Sequence, residues 1–236
     1  MGTRNHGMSQ MLQKSFIRTK HPVAVNSIDH RFPRGTINDN SVNPLFVDAC
    51  LRHFPRPRML DLGCAGGGMV ALMCQTGIDS IGVEGSDINQ KTKRAEWGGQ
   101  FADHLFTADI TKPFQIVDEL SNQRKFKIIT AWEVLEHIAE SDLFGLIENI
   151  KSHLANNGLF VASVSMENQS DTPEIIYHQT VRSKQWWIDR FCENGLIEVA
   201  SHQFRHTDFV RGNGRGSDVD VAEEPHKGFH LILRKE

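Results

Sequence analysis

The sequence predicts a doubly wound α/β fold, in which a mostly parallel sheet carries helices on both faces. Between residues 58 and 164, short apolar stretches typical of buried strands alternate with stretches typical of helices. Strands that alternate with helices pair in parallel through right-handed crossovers. Beyond residue 195 two further strands, 196–201 and 229–233, have no helix between them. We therefore expect them to form an antiparallel hairpin at the sheet edge.

The individual elements follow from local signals. Ser41 is a favourable N-cap for a helix over 42–54, and Pro55 ends it. An apolar stripe predicts a helix over 143–154, and Gly195 is a favourable end for the helix over 184–194. The other predicted helices are 69–74, 89–97 and 114–120, and the other predicted strands are 58–62, 80–83, 105–108, 126–131 and 159–164.

The chain divides into an arm and one domain. Residues 1–40 show no sustained periodicity and contain Pro22, Pro33 and Gly35, so we expect an irregular N-terminal arm. Residues 41–236 contain all of the predicted elements and no internal repeat. They are expected to form a single domain, with the polar stretch 165–183 draped over the active site.

The composition narrows the class of protein. No apolar run approaches the roughly eighteen residues of a membrane span. The four cysteines, Cys50, Cys64, Cys74 and Cys192, lack zinc-binding spacing, which predicts reduced thiols and a cytoplasmic location. A net charge of −3 disfavours nucleic acid as a partner.

A glycine-rich turn follows the first central strand. In the sequence MLDLGCAGGG at residues 59–68, Asp61 precedes Gly63, Ala65 and Gly66. A dinucleotide site would have glycine where Ala65 stands, and Asp61 would repel a pyrophosphate. A cationic ligand such as S-adenosylmethionine (SAM) suits this turn better.

Two more carboxylates end the next two strands. Glu84 lies twenty-one residues after Gly63, where an acid can accept hydrogen bonds from both hydroxyls of a ribose. Asp109 ends the third strand, where a carboxylate can accept an adenine amino group. Three acids at the carboxyl edge of a parallel sheet jointly predict a nucleoside site.

On these motifs, together with IITAWEVLEHI at residues 128–138, the chain from Ser41 onward resembles the class I SAM-dependent methyltransferases, in their ubiquinone-biosynthesis and sugar O-methyltransferase branches. The resemblance implies a seven-stranded sheet. It also assigns Asp61, Gly63 and Gly66, with Ala65 beside them, to the methionine moiety of SAM. Glu84 becomes the ribose contact, and Asp109 with Ile110 the adenine contacts.

The acceptor side is predicted from a second pattern. Glu133, Glu136 and His137 are spaced to share one helical face, and some relatives with this spacing hold a divalent metal. With His178 as a further ligand, the set suits magnesium, manganese or zinc. The alternative needs no metal: Glu133 shapes the SAM pocket, while His137 or His178 acts as a base or merely packs.

These observations predict an O-methyltransferase that acts on a small or sugar-like hydroxylated substrate. N-methylation and RNA 2′-O-methylation are alternatives within the class. An NAD-dependent oxidoreductase shares the sheet, but Asp61 and Ala65 speak against it. A non-catalytic SAM-binding protein would retain the strand-end acids without turnover.

Overall fold

The computed structural model of the chain describes residues 13–210 and 221–236. In that part of the chain the strands are β1 (Phe16–Thr19), β2 (Arg58–Leu62), β3 (Asp79–Glu84), β4 (Leu105–Thr107), β5 (Phe114–Val117), β6 (Phe126–Trp132), β7 (Leu154–Ser165), β8 (Ser170–Thr172), β9 (Ile175–Ile176), β10 (Leu196–Glu198) and β11 (Gly228–Lys235). The α-helices are α1 (Ile28–Arg31), α2 (Arg34–Asn38), α3 (Pro44–His53), α4 (Gly68–Gln75), α5 (Ile88–Thr92), α6 (Leu143–His153) and α7 (Lys184–Cys192).

Seven of these strands form the central sheet, in the order β10-β11-β7-β6-β2-β3-β4. Strands β7, β6, β2, β3 and β4 are parallel, and each pairs with the next in this order. Strand β11 runs antiparallel both to β7 and to β10. The predicted seven-stranded, doubly wound sheet with a C-terminal antiparallel hairpin is therefore confirmed.

Both faces of the sheet are covered because its strands alternate between two apolar clusters. On one face Leu60 and Ile129 pack with α6 and α7, and Trp187 is fully buried there. On the other face Met59 and Ile128 pack with α3 and α4. Two-sided burial leaves the ends of the parallel strands as the place for a ligand.

The predicted helix over 114–120 is wrong. Residues 114–117 form β5, which pairs antiparallel with β1 as a separate two-stranded sheet. Phe114 and Ile116 are buried while Gln115 between them is exposed, a period of two that fits a strand. Long-range pairing with β1 selects the strand, and nothing near residue 114 reveals that partner.

The irregular arm predicted over residues 1–40 is also wrong where it is described. Residues 13–40 contain β1, α1 and α2, while residues 1–12 lie outside the described part. These elements are too short to show helical or strand periodicity. Residues 21–40, which we call the cover, lie across the carboxyl edge of the sheet: Ala24 N–H donates to Gly85 O, and Asp109 N–H donates to His21 O.

The helices predicted over 42–54 and 89–97 have different bounds in the structure. Helix α3 begins at Pro44, because the Asn43 side chain, rather than that of Ser41, accepts the Phe46 N–H and caps it. The helix predicted over 89–97 ends at Thr92, where Lys93 adopts a left-handed conformation (φ 50°). No helix among the described residues is long and apolar enough to cross a membrane.

Candidate active site

A cavity of about 840 Å³ opens at the carboxyl edge of the central sheet. Its walls come from the ends of the parallel strands, from the cover, and from the stretch 165–183, which we call the insert. Eight predicted site residues line it: Gly63, Ala65, Glu84, Asp109, Ile110, Glu133, His137 and His178. Of the described residues, Asp61, Gly66 and Glu136 were also predicted but lie behind this wall.

The turn after β2 is shaped by backbone conformations that favour glycine. Gly63 has a φ of +70°, and a Cβ built there would lie 2.5 Å from Cγ2 of Val134. Its N–H donates to the carbonyl of Val83 at 2.8 Å. The missing side chain therefore lets the turn pack directly against the loop that follows β6.

The N-terminus of α4 does not face the cavity, because the cover accepts two of the backbone N–H groups there. Gly68 N–H donates to Oδ1 of Asn40 at 2.8 Å, and Gly66 N–H donates to Asp39 O at 3.1 Å. A Cβ at Gly66 would lie 2.4 Å from the same Asn40 oxygen. The glycines here admit the cover, so the predicted ligand contact at Gly66 lies beneath it.

Glu84 is a buried carboxylate held by two backbone N–H groups. Its Oε2 accepts from Ala65 at 2.8 Å and its Oε1 accepts from Ser86 at 3.1 Å. Burial raises the pKa of Glu84, although these two hydrogen bonds act in the opposite direction. The side chain is thus fixed in the cavity wall, and each oxygen retains a further lone pair for a hydroxyl donor.

Asp109 and Ile110 follow β4 in the same wall. Oδ1 of Asp109 accepts both the N–H of Thr111, at 2.9 Å, and its hydroxyl, at 2.6 Å. Both bonds fall on one oxygen of the carboxylate. Ile110 is buried and presents apolar surface to the cavity. This pair can offer a flat heterocycle one polar and one apolar contact.

Asp61 lies under the turn rather than in the main cavity. It is buried, and Thr130 Oγ1 donates to its Oδ1 at 2.7 Å. It lines a much smaller pocket of about 20 Å³, which shares Gly63 and Trp132 with the main cavity. Asp61 therefore lies beside the main cavity and not in its wall.

The helical face predicted for Glu133, Glu136 and His137 does not form. Glu133 has a left-handed backbone (φ 54°), and only Leu135–His137 make a single 3₁₀ turn. The N–H of Glu133 is used by the carbonyl and the hydroxyl of Ser163, each at 3.1 Å. Glu133 is therefore not one of the groups that meet at ligand distance, although its charge still acts on Glu136 and His137.

Glu136, His137 and His178 do come together. One ligand atom from each lies within 4.8 Å of the others, and the two imidazole rings meet edge to face with centroids 4.8 Å apart. Glu136 is fully buried: its Oε1 accepts the Ser165 N–H at 3.0 Å, while its Oε2 makes no hydrogen bond within the described chain. We call these three residues the histidine cluster.

The electrostatics of the histidine cluster are unusual. Burial raises the pKa of Glu136, and the charge of Glu133 raises it further. Burial alone would lower the pKa of His137, but the hydrogen bond and charge of Asp29, with the charges of Glu136 and Glu133, raise it to about 9. Burial lowers the pKa of His178. At neutral pH His178 is therefore the neutral imidazole of the pair.

The sequence gives no sign of Asp29, which contacts this cluster from the cover. Its Oδ2 lies 3.0 Å from Nδ1 of His137, 108 residues further along the chain. Arg34 on the cover forms an ion pair with Asp171 of the insert, and Tyr177 O–H donates to the same carboxylate at 2.9 Å. A Ser27 N-cap was the only local signal available, and it indicates a helix start, not a site.

Aromatic rings form the rest of the wall near the insert. Trp132, Phe209 and His230 line the cavity, and the last two stack with centroids 4.3 Å apart. Nε1 of Trp132 is buried and makes no hydrogen bond in the described structure. A ring or apolar face of a second ligand can pack here.

Comparisons with known proteins agree with this geometry. The model of a family described as a methyltransferase domain matches residues 38–207. The chain is 32% identical, over 112 residues, to a ubiquinone biosynthesis O-methyltransferase of Chelativorans sp. (strain BNC1), covering 46% of this chain and 40% of that protein. The enzyme of the same name from Bradyrhizobium diazoefficiens is 29% identical over 141 residues, which cover 54% of this chain and 53% of that protein. The chain thus spans about half the length of the curated relatives that it matches.

Solved structures show the same fold at low identity. A SAM-dependent methyltransferase from Clostridium acetobutylicum has a TM-score of 0.56 at 13% identity, covering 88% of this chain and 96% of its own. The glycopeptide N-methyltransferase MtfA in complex with SAM has a TM-score of 0.55 at 14% identity, and the match covers 81% of this chain and 94% of that structure. With a family model matched over more than half of its residues, the chain belongs to the methyltransferase domain family, as its resemblance to the class I SAM-dependent enzymes predicted.

Proposed function

We propose that the chain transfers a methyl group from SAM to a hydroxyl oxygen of a small or sugar-like acceptor. The observation that carries this proposal is the content of one cavity: two strand-end carboxylates, Glu84 and Asp109, share its wall with His137 and His178. The first pair suits a nucleoside, and the second pair suits a group that must lose a proton. When bound, SAM supplies a methyl group activated by a sulfonium.

The residues present fit that cofactor. Glu84 is held by two backbone N–H groups, so its carboxylate is preorganised to accept ribose hydroxyls. Asp109 offers a carboxylate to an amino group beside the apolar Ile110. Gly63 and Ala65 border the same wall and present little side chain to a ligand there.

His178 is the better of the two candidate bases for the acceptor proton. Its Nδ1 lies in hydrogen-bond contact with the carbonyl of Glu167, which can only accept, so the proton sits on Nδ1 and Nε2 keeps its lone pair. Burial lowers the pKa of His178, so the ring stays neutral at neutral pH. His137, with its raised pKa, is better suited to hold a proton than to take one.

A divalent cation at the histidine cluster is the alternative route to a deprotonated acceptor, because the one free lone pair of His178 can either bind a cation or accept a proton. Glu136, His137 and His178 offer one oxygen and two nitrogen ligands, a set that suits magnesium, manganese or zinc. The unbonded, buried Oε2 of Glu136 is the kind of atom that a cation would stabilise. Glu133, which the sequence also suggested, lies outside this group. A bound cation would lower the pKa of an acceptor hydroxyl nearby.

The decisive assay uses SAM with a labelled methyl group and a panel of sugars, phenols, amines and RNA. We expect label on a hydroxyl of a small acceptor, and the amines and RNA are the competing outcomes. Repeating the assay after chelation, and again after adding each metal, tests the cation. Full activity in a metal-free preparation would leave His178 as the base without a metal.

We also keep a cytoplasmic location as part of the proposal. All four cysteines, Cys50, Cys64, Cys74 and Cys192, are free thiols, which is typical of proteins kept in a reducing compartment.

A further inference from the structure

The contact between Asp29 and His137 joins the cover to the histidine cluster. We propose that Asp29 is a positioning residue of the active site, which fixes the ring orientation and the tautomer of His137 when the cover is closed. The inference rests on the proposed function, because it concerns the same acceptor site. It adds a residue from the cover, which neither the motifs nor the family match had placed there.

The geometry of Asp29 is well defined for a residue of so short a helix. Its backbone N–H donates to Oγ of Ser27 at 3.1 Å, which fixes the first turn of α1. Its side chain is 20% exposed and that of His137 is 18% exposed, so the contact is largely sheltered from water. A sheltered, charge-assisted hydrogen bond holds its partner more firmly than a surface ion pair does.

The contact determines which nitrogen of His137 is available. An ionised carboxylate only accepts hydrogen bonds, so Nδ1 of His137 carries a hydrogen and donates it to Oδ2 of Asp29. Nε2 is then the nitrogen left for the other members of the cluster, Glu136 and His178. This assignment holds whether Nε2 contacts a cation or carries a proton.

The cover carries Asp29 to this position through contacts that also close the cofactor side. Ala24 N–H donates to Gly85 O directly after β3, and the Asn89 side chain donates to Thr36 O at 2.9 Å. Arg34 reaches the insert at Asp171. Because these contacts lie on the same segment as Asp29, opening the cover to exchange a cofactor would also withdraw the carboxylate from His137.

The test compares two variants of Asp29 with one that loosens the cover elsewhere. Asp29→Ala removes the acceptor, whereas Asp29→Asn keeps an oxygen that can accept from Nδ1. Asn89→Ala removes a hydrogen bond to the cover at a residue outside the cavity wall. Each full-length variant is assayed for S-adenosylhomocysteine affinity, for kcat and KM in labelled-methyl transfer with the panel of acceptors, and by ¹⁵N NMR of the histidine rings.

We expect Asp29→Ala to lower kcat by about 10–100-fold, the usual loss when a carboxylate behind a functional histidine is removed. Affinity for S-adenosylhomocysteine should stay within about twofold, and Asp29→Asn should recover most of kcat. Above the raised pKa of His137, where the ring is neutral and has a single tautomer, the NMR signal of a protonated Nδ1 should persist in the wild type and in Asp29→Asn and disappear in Asp29→Ala. Asn89→Ala should change kcat by no more than about fivefold, the worth of one hydrogen bond.

Three results would overturn the inference. An unchanged kcat and ring tautomer in Asp29→Ala would show that the contact between Asp29 and His137 affects neither catalysis nor the protonation of the ring. Equal losses in Asp29→Ala and Asn89→Ala would mean that closure of the cover matters and Asp29 itself does not. No rescue by Asp29→Asn would exclude tautomer control. If the wild type binds S-adenosylhomocysteine but methylates nothing on the panel, the proposed function fails separately, and the ring tautomer alone decides the role of Asp29.

Discussion

The two halves of the cavity are built in different ways. The half that we assign to the cofactor, which we call the cofactor half, contains Glu84, Asp109 and the glycine turn. Its two carboxylates accept hydrogen bonds from backbone N–H groups two to nineteen residues away in sequence. The half that we assign to the acceptor, which we call the acceptor half, joins residues more than 100 positions apart, Asp29 with His137 and Arg34 with Asp171. It also leaves the buried Oε2 of Glu136 without a hydrogen bond in the described chain.

This difference shows that the central sheet alone positions the groups of the cofactor half, whereas it does not by itself position those of the acceptor half. Parallel strands bring their carboxyl ends to one edge, so a carboxylate at each strand end is positioned as soon as the sheet forms. The acceptor half exists only when the cover and the insert are docked against that edge. If the proposed function holds, cofactor binding depends on the sheet, whereas deprotonation of the acceptor depends on the docked cover and insert, which are expected to open more readily than the sheet.

The largest expected effect is at Gly63, where the two halves touch. Gly63→Ala adds a Cβ in a left-handed conformation, 2.5 Å from Val134 on the loop that follows β6, which also carries Glu136 and His137. Gly77→Ala is the matched control, since Gly77 has a φ of +83° and open space around its Cβ position. We expect a loss of about 3 kcal/mol in the free energy of unfolding at Gly63 and about 1 kcal/mol at Gly77.

Urea denaturation of both variants measures the difference. Equal losses would mean that backbone strain alone matters at Gly63 and that the two halves are not packed against each other through Val134.

Next in size is the effect of Glu136 on stability. Its pKa is raised in the folded state, from 4.5 to about 8, because burial disfavours the carboxylate and the charge of Glu133 adds to this. Between those values the unfolded state is ionised while the folded state keeps its proton, so the stability of the wild type falls as pH rises. Glu136→Gln removes this penalty, and we expect a gain of about 2 kcal/mol at pH 7.

The measurement is urea denaturation at several pH values between 5 and 8. Glu148→Gln serves as the control, because Glu148 is a solvent-exposed residue in an i,i+3 pair with Lys151. If the Glu136→Gln variant is less stable than the wild type at pH 8, burial of the Glu136 carboxylate does not destabilise the folded state and the prediction is wrong.

The smallest effect concerns local opening. Strands β8 and β9 of the insert are paired only with each other and are largely exposed, whereas β6 is buried in the central sheet. Amides of residues 170–176 should therefore exchange hydrogen much faster than those of β6 in the free protein. Adding S-adenosylhomocysteine should slow exchange in residues 80–86 more than in the insert. Insert amides as slow as those of β6 without any ligand would contradict this.

How far the sequence leads can be seen in the same two halves. Glu84 and Asp109 were predicted because strand, turn and acid are neighbours in sequence, and a local pattern suffices for them. The face shared by Glu133 and Glu136 was predicted from spacing alone, and the left-handed backbone at Glu133 breaks it. No periodicity connects Asp29 to His137, since their contact depends on how the cover docks.

The same limit applies to the fold. The central sheet follows from alternating strands and helices, which are local patterns. Strand β5 was assigned as a helix because its partner, β1, lies nearly 100 residues earlier in a stretch with no recognisable pattern. The apolar stripe of α6 indicates a core face because burial follows from periodicity, and Leu143, Ile147 and Ile150 are buried there, whereas Phe144 in the same stripe is exposed.

The most direct test of the account is a calorimetric titration of S-adenosylhomocysteine into two folded variants, Glu84→Ala and Glu136→Gln. If Glu84 belongs to the cofactor half and Glu136 to the acceptor half, the first change should weaken binding by about 1–3 kcal/mol, roughly 5–150-fold. The second should leave the affinity within about twofold of the wild type. Unchanged affinity in Glu84→Ala, or an equal loss in both variants, would contradict the division of the cavity and the assignment of Glu84 to the ribose.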